Sequence, residues 1–263
     1  MTVHVEPCTM HPPKSAPAHR QTRRAALAGI ALTSLLAAAG AFAADSPDPA
    51  AHNADPFEKM NRATYRFNAF VDRHLARPVA RGYRAVLPEF ARRGIGNFFG
   101  NLYSPTVIVN DILQLKLKDA ASDTTRLVVN TTLGIGGLVD PATKMGLVAH
   151  KEDFGQTLGH WGVRPGPYLV IPILGPSDLR DAPGRVVDHY TNPVTYLEER
   201  RLRYMLTGID LLETRAALLS ADEAIDLAFD PYALVRNAYL QRRDYLVHDG
   251  QVPIDNYDDP LGP

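Results

Sequence analysis

The sequence predicts a mainly α-helical single domain with at most a short strand or hairpin segment. Three observations carry that prediction. Apolar side chains recur at three- and four-residue steps through most of the chain after residue 55, the spacing of one helix face. Asp55-Pro56, Asp140-Pro141 and Asp230-Pro231 each offer an N-cap followed by a first-turn proline, which is a helix start signal. Only Tyr168 to Leu174 (Y-L-V-I-P-I-L) reads as a strand, and Pro172 confines it to an edge or an extended strap.

The chain has 263 residues, 45% hydrophobic and 22% charged, as an ordinary globular protein does. Its start differs from that average. Arg20, Arg23 and Arg24 precede an uncharged stretch from Ala25 to Ala43 that closes on Ala41-Phe42-Ala43. A basic region, an apolar region and a small-x-small site describe a secretory signal peptide over residues 1–43, cleaved before Ala44. Thr22-Arg23-Arg24 is a weak twin-arginine signature, and the length before it leaves Met10 as a second start. Cys8 is the only cysteine and leaves with the leader, so no disulfide, thiolate or lipid-acceptor cysteine is expected in the exported chain. Beyond residue 43 there are 24 Lys and Arg against 28 Asp and Glu, a balance of −4 that gives no case for nucleic acid.

Residues 44–54 (A-D-S-P-D-P-A-A-H-N-A) read as a flexible tether. Asp55 then caps a helix whose Phe57, Met60, Thr64, Phe67, Val71 and Leu75 make one apolar face, ended at Arg77-Pro78. A short helix follows from Pro78 to Leu87. From Pro88 to Tyr103, Gly94, Gly96 and Gly100 punctuate Phe98, Phe99, Leu102 and Tyr103, which fit either a core or a membrane interface. Ser104-Pro105 caps a further helix, apolar nearly all round through Val107, Ile112 and Leu115, suited to burial in protein or in lipid. A helix over Asp119 to Thr132 leads into Gly134, Gly136 and Gly137, where it cannot continue cheaply. The bend Asn130–Gly146 is then either a buried inter-helix turn or an apolar loop that contacts something greasy. Lys151 to Gly162 is a short helix or turn, and Pro176 to Tyr190 is helical with Ser177 and Asp178 at its start. Glu198 to Leu219 carries Leu202, Met205, Leu206, Ile209, Leu212 and Leu219 on one stripe, and Ser220 to Glu223 fits a capping box. Asp230-Pro231 starts the last helix, which stops near Gly250, and 251–263 is an acidic, disordered tail.

Chemistry-bearing patterns are sparse. There is no G-x-S-x-G elbow, and Ser177 in G-P-S-D suits a cap better than a nucleophile. His160 beside Glu152 and Asp153 makes an acid–base pair on paper, but nothing near it completes a triad. The histidines have no metal-ligand spacing, so no metal and no cofactor is expected.

Several segments resemble one family in collinear order. D-P-F-E-K-M-N-R-A-T-Y-R-F-N at 55–68, N-F-F-G-N-L at 97–102, N-T-T-L-G-I-G-G-L-V-D at 130–140, F-G-Q-T-L-G-H-W-G-V at 154–163, G-P-Y-L-V-I-P-I-L-G-P at 166–176, E-T-R-A-A-L-L at 213–219 and D-P-Y-A-L-V-R-N-A-Y-L-Q-R-R at 230–243 are similar to the MlaA (VacJ) family. The resemblance implies a helical domain over 55–250, a ring of amphipathic helices around a central channel, set in the inner leaflet of an outer membrane on its periplasmic side. It implies transport without bond chemistry: phospholipid misplaced in the outer leaflet is removed and passed to a soluble MlaC-like carrier, often beside a trimeric porin. On that resemblance Asn61, Tyr65, Phe67 and Asn68, with Gly134, Ile135, Gly136, Gly137, Leu138 and Asp140, line or gate the lipid path. Phe98, Phe99, Leu102 and Tyr103 then meet the membrane interface. Family members commonly carry a lipid-acceptor cysteine where this chain has Ala44. A soluble periplasmic lipid carrier and a periplasmic hydrolase are the alternatives.

Overall fold

The structure, a computed structural model, describes residues 55–251. The expected signal peptide and tether, and the acidic tail after its first residue, lie outside the described residues. In chain order the elements are α1 (Glu58–Val71), a π-helical turn (Asp72–Ala76), α2 (Arg77–Val86), α3 (Glu89–Leu113), α4 (Leu117–Thr132), α5 (Pro141–Lys144) and α6 (Phe154–His160). A hairpin follows, β1 (Tyr168–Ile171) and β2 (Gly175–Asp178), then α7 (Asp181–Thr191) and a 3-10 turn (Pro193–Tyr196). The rest is α8 (Arg200–Ala217), a second 3-10 turn (Leu218–Ala221), α9 (Asp222–Leu227) and α10 (Pro231–Val247). The fold is mainly α with one antiparallel strand pair, Tyr168 opposite Asp178 and Ile171 opposite Gly175, as expected.

Two prolines do not stop their helices. Arg77 keeps helical angles because its N–H reaches back five residues to the Asp72 carbonyl, and that wider π turn accommodates Pro78 near the start of α2. Pro105 lies inside the continuous α3, where the Ser104 hydroxyl donates to the Gly100 carbonyl at 3.1 Å instead of capping a new helix. Ser177 and Asp178 sit on β2, because the hairpin pairs through them and α7 begins three residues later, although the Asp178 carboxylate accepts from the Asp181 amide at the start of that helix at 2.6 Å. The Ser220–Glu223 capping box does not form: no side chain caps α9, and Asp222 is drawn instead to Arg215 at 2.8 Å. Asp55 is likewise no cap, since its carboxylate accepts from Asn61 Nδ2 at 2.9 Å and from the Tyr232 hydroxyl. Asp140 and Asp230 do cap their helices, accepting from the Thr143 and Ala233 amides at 3.0 and 3.2 Å.

Burial is inverted relative to a water-soluble bundle. The largest fully buried side chains among the described residues are Asn61, Asn110, Thr106, Thr157, Asp111, Asp178 and Ser177. The predicted apolar faces point outward instead: Phe67 and Leu75 of the first helical stretch, Val109, Ile112 and Leu113 of α3, and Leu202, Met205 and Ile209 of α8 are all exposed. Periodicity locates an apolar face but does not say what covers it. On α4 the buried side is Asp123, Arg126 and Asn130 while Val128 is exposed. The described apolar cluster is small, with Tyr168, Val170 and Tyr232 packed by Tyr65, Tyr239 and Leu240 where the hairpin meets α10.

Polar clamps therefore hold the elements together. Asn61, fully buried, donates to the Tyr168 carbonyl at 2.8 Å and accepts from the Val170 amide at 2.9 Å. About two turns along, Asn68 repeats the clamp on the Ile171 carbonyl and the Ile173 amide at 3.0 and 2.8 Å. The two amides act as a short pseudo-strand against the edge of β1. Asn61→Ala would strand a backbone amide and a carbonyl in the interior, and should destabilise the fold by about 3 kcal/mol. Asn68→Ala, at a wetter site, should cost clearly less. Thermal unfolding in mild detergent, followed by circular dichroism, gives both values; equal losses would contradict this account of the clamp.

Candidate functional site

Helix contacts close into a circuit: α3 meets α6, α6 meets α10, α10 meets α9, and α9 runs through the Leu218–Ala221 turn to α8, which returns to α3. Side chains from this circuit line two adjoining cavities. The larger, about 940 Å³, lies between α3 and α8, with Phe99, Leu102 and Leu206 as apolar wall and Arg203, Asp210 and Arg242 as polar wall. The second, about 590 Å³, lies toward α4 and is lined by Asp123, Arg126, Asn130, Asp140, His150 and Arg243 among others. Gly96, Gly100, Tyr103, Lys151 and Arg242 line both. A side chain built on Gly100 would meet nothing within 4 Å, so its bare backbone keeps that stretch of wall open.

Tyr103 stands at the centre. It lines both cavities and a third of about 350 Å³ toward Asp181 and Asp188. Burial, with Asp188 and Asp153 nearby, raises the phenol's pKa and keeps it neutral. Beneath it lies a charged floor. Arg243 donates to Asp153 at 2.6 and 2.9 Å and pairs with Asp181, which also accepts from the Tyr239 hydroxyl at 2.6 Å. Asp188 accepts from the Phe154 amide at 3.0 Å and from Asn110 at 3.2 Å, yet burial and Asp153 push its carboxyl up to about 7.

The glycine bend meets the second cavity only through its flanking residues Asn130 and Asp140. Ile135, Gly136 and Gly137 take left-handed angles in succession (φ 54, 68 and 93°), a strained choice for a β-branched residue. A Cβ on Gly137 would come within 2.6 Å of Asn101 on α3, so the bend lies tight against that helix. Asn101 donates to Thr131 at 2.9 Å and Asn97 to the Leu138 carbonyl at 3.3 Å. Behind it Arg126 donates to Asp140 at 2.8 Å, and Asn130 donates to Asp140 at 3.0 Å while accepting from the Ala142 amide. Burial pushes the Asp140 carboxyl up, but bonds from Thr143, Arg126 and Asn130 outweigh it and bring it to about 2. Leu133, Ile135, Leu138 and Val139 remain exposed, so of the two readings of this bend the apolar loop is the one that forms.

Of the bend residues expected to line or gate the path, Asp140 lines the second cavity, whereas Gly134, Ile135, Gly136, Gly137 and Leu138 border none of the three. Phe99, Leu102 and Tyr103, expected at a membrane interface, line the larger cavity instead. Phe98 packs edge-on against Phe99 at 5.3 Å. Asn61, Tyr65, Phe67 and Asn68 do not border any of the three cavities; they hold the hairpin or face outward. Arg203 and Arg242 read from the sequence as parts of a solvated charged face, and Lys151 carried no signal; the structure turns all three to the lumen. The hydrolase constellation does not assemble: His160 is exposed, Glu152 accepts from Gln114 at 2.7 Å, and Asp153 is held by Arg243. Among the described residues no cluster of His, Cys, Asp and Glu could hold a metal, and no helix is long and apolar enough to cross a membrane.

One buried group bears on stability. Asp111 is fully buried with neither carboxylate oxygen hydrogen-bonded, and burial together with Asp123 and Glu152 raises it to about 7. Its proton is held more tightly in the folded than in the unfolded chain, so its penalty on the fold grows as pH rises from about 4 to about 7. Asp111→Asn should stabilise the protein by about 1–2 kcal/mol at pH 8. That gain should vanish below about pH 4, as read by thermal unfolding across pH.

A family model described as MlaA lipoprotein matches residues 53–246. The intermembrane phospholipid transport system lipoprotein MlaA of Escherichia coli K12 is 39% identical over 204 residues, 75% of this chain and 80% of that protein. The Haemophilus influenzae protein of the same description is 30% identical over 226 residues, 84% of this chain and 90% of that one. A solved structure, reported for the structural basis of maintenance of bacterial outer membrane lipid asymmetry, matches with TM-score 0.67 and 37% identity, over 74% of this chain and 100% of that one. This chain belongs to the MlaA family.

Proposed function

We propose that this protein is an outer-membrane-associated phospholipid transport protein that maintains lipid asymmetry. The observation that carries the proposal is the inverted burial: charged and amide side chains fill the interior around a lumen with one apolar and one charged wall, and broad apolar faces lie outside. Exposed apolar faces on this scale would be costly in water and are favourable against acyl chains. A soluble carrier would show the reverse, apolar faces turned in around one pocket. The lumen suits an amphiphile, with Arg203, Arg242 and Lys151 for a headgroup and Phe99, Leu102 and Leu206 for the start of the tails. No bond is made or broken in this reading.

The finer reading is that misplaced outer-leaflet phospholipid enters this lumen on the periplasmic side of the outer membrane and leaves to a soluble MlaC-like carrier, with a trimeric porin alongside. Its support is the family resemblance. The glycine bend, Gly134 to Asp140, is its gate: apolar outside, strained at Ile135 and tied to α3 by only a few bonds.

The test is outer-leaflet phosphatidylethanolamine in a deletion strain, read with a membrane-impermeant amine label. The label should rise and fall back with the intact gene. Gly100→Trp, which puts an indole on the shared wall of both cavities at a position where an added Cβ meets nothing within 4 Å, should express normally and fail to restore it. No rise on deletion, or full rescue by Gly100→Trp, would overturn the proposal.

A further inference from the structure

Between Arg66 and Arg93 the chain carries seven arginines against two acids, Asp72 and Glu89, although the whole protein balances 28 basic against 29 acidic residues. Three of the seven are engaged. Arg77 bonds Asp226 at 2.7 Å, Arg92 donates to the Leu87 carbonyl at 3.2 Å, and Arg93 pairs with Glu89 one turn back. Asp72 is taken by Arg215. Arg66, Arg73, Arg81 and Arg84 are exposed and have no hydrogen bond or ion pair among the described residues. The nearest opposing charge is Asp226, which attracts Arg73 and Arg81 but is already held by Arg77. The same 28 residues expose Phe67, Phe70, Leu75, Val79, Val86 and Phe90, the last two by about four-fifths.

Spacing sorts these into two sides. Val79 and Val86 are seven residues apart and share one side of α2, whereas Arg81 and Arg84 lie three apart on the other. On α1, Phe67 and Phe70 share the outward side with Met60 and Arg66 stands at its margin. An apolar side, an arginine-rich side and no internal counter-charge is the pattern of a helix lying in the plane of a bilayer surface. Long guanidinium side chains reach from there to phosphate level.

We propose that the ribbon from Arg66 to Arg93 binds an anionic phospholipid surface, with its aromatic and aliphatic side chains among the acyl chains and its four free guanidiniums on headgroup phosphates. This binding is independent of what passes through the lumen.

Flotation of the purified full chain with vesicles tests it, using phosphatidylcholine alone or mixed with phosphatidylglycerol. Wild type should prefer the anionic vesicles, by up to about fivefold per free arginine, and the preference should collapse at high salt. The combined variant Arg66→Gln, Arg73→Gln, Arg81→Gln and Arg84→Gln should bind phosphatidylcholine as before and lose the preference. The corresponding four lysine substitutions should keep it. Equal wild-type binding to both vesicles would overturn the assignment and leave an acidic protein surface as the occupant; this comparison needs no variant to fold. A preference that survives high salt, or that the glutamine variant retains, would overturn it as well.

Discussion

The Arg243 guanidinium is the contact on which the rest of the structure leans. It sits between Asp153, which caps α6, and Asp181, which opens α7, and so fixes both helices to α10. Tyr239, one turn earlier, donates to the same Asp181. Around this point the interior holds more carboxylates than cations, and Asp188 and Asp178 are pushed up to about 7 and about 6 by burial and by their acidic neighbours. A buried ion pair adds little net stability against an apolar isostere, but removing one partner leaves uncompensated charge. Here the pairs also form the charged wall of the smallest of the three cavities, lined by Asp153, Asp181 and Arg243. Specific pairing replaces greasy packing as the source of a unique arrangement.

That exchange follows from the outside of the molecule. When the apolar faces of α1, α3 and α8 are turned outward, the usual driving force of burial against water is not available between helices. Clamps take over: Asn61 and Asn68 on β1, Arg126 and Asn130 on Asp140, Arg77 and Arg215 on Asp222. Those of Asn61, Asn68 and Arg77 join elements more than a hundred residues apart, the others link neighbouring segments, and each places an amide or guanidinium where a soluble bundle would place leucine. A polar inside with an apolar outside is also what a lipid path through one leaflet requires, so stability and function draw on the same residues.

Helix existence was largely legible in the sequence, because three- and four-residue periodicity survives whichever way a helix faces. The Asp-Pro starts at Asp140 and Asp230 were legible too, since their caps are local. What periodicity could not give was the direction of burial, so the faces of Phe67 and Met205 read as core. The breaks assigned at Pro78 and Pro105 failed for a related reason: a π turn ahead of one and the tertiary contacts of α3 around the other override a local signal. In the candidate site, Asp140, Phe99, Leu102 and Tyr103 carried a signal, as glycine-spaced aromatics or a capping acid. Arg203 and Arg242 carried none for the lumen, because their meaning depends on which wall their helices form, and Lys151 none because it sits on a connecting loop.

Apolar faces that meet lipid, and a lumen open to solvent, can both be read by one measurement. With Trp161 replaced by Phe, single tryptophans at Phe67 and at Phe99 would be compared in vesicles whose acyl chains carry bromine. Phe67→Trp should be strongly quenched by the brominated chains, and Phe99→Trp, facing the lumen, should be quenched far less and remain open to a small aqueous quencher. The reverse pattern, or equal quenching at both positions, would contradict the inverted fold and the lumen with it.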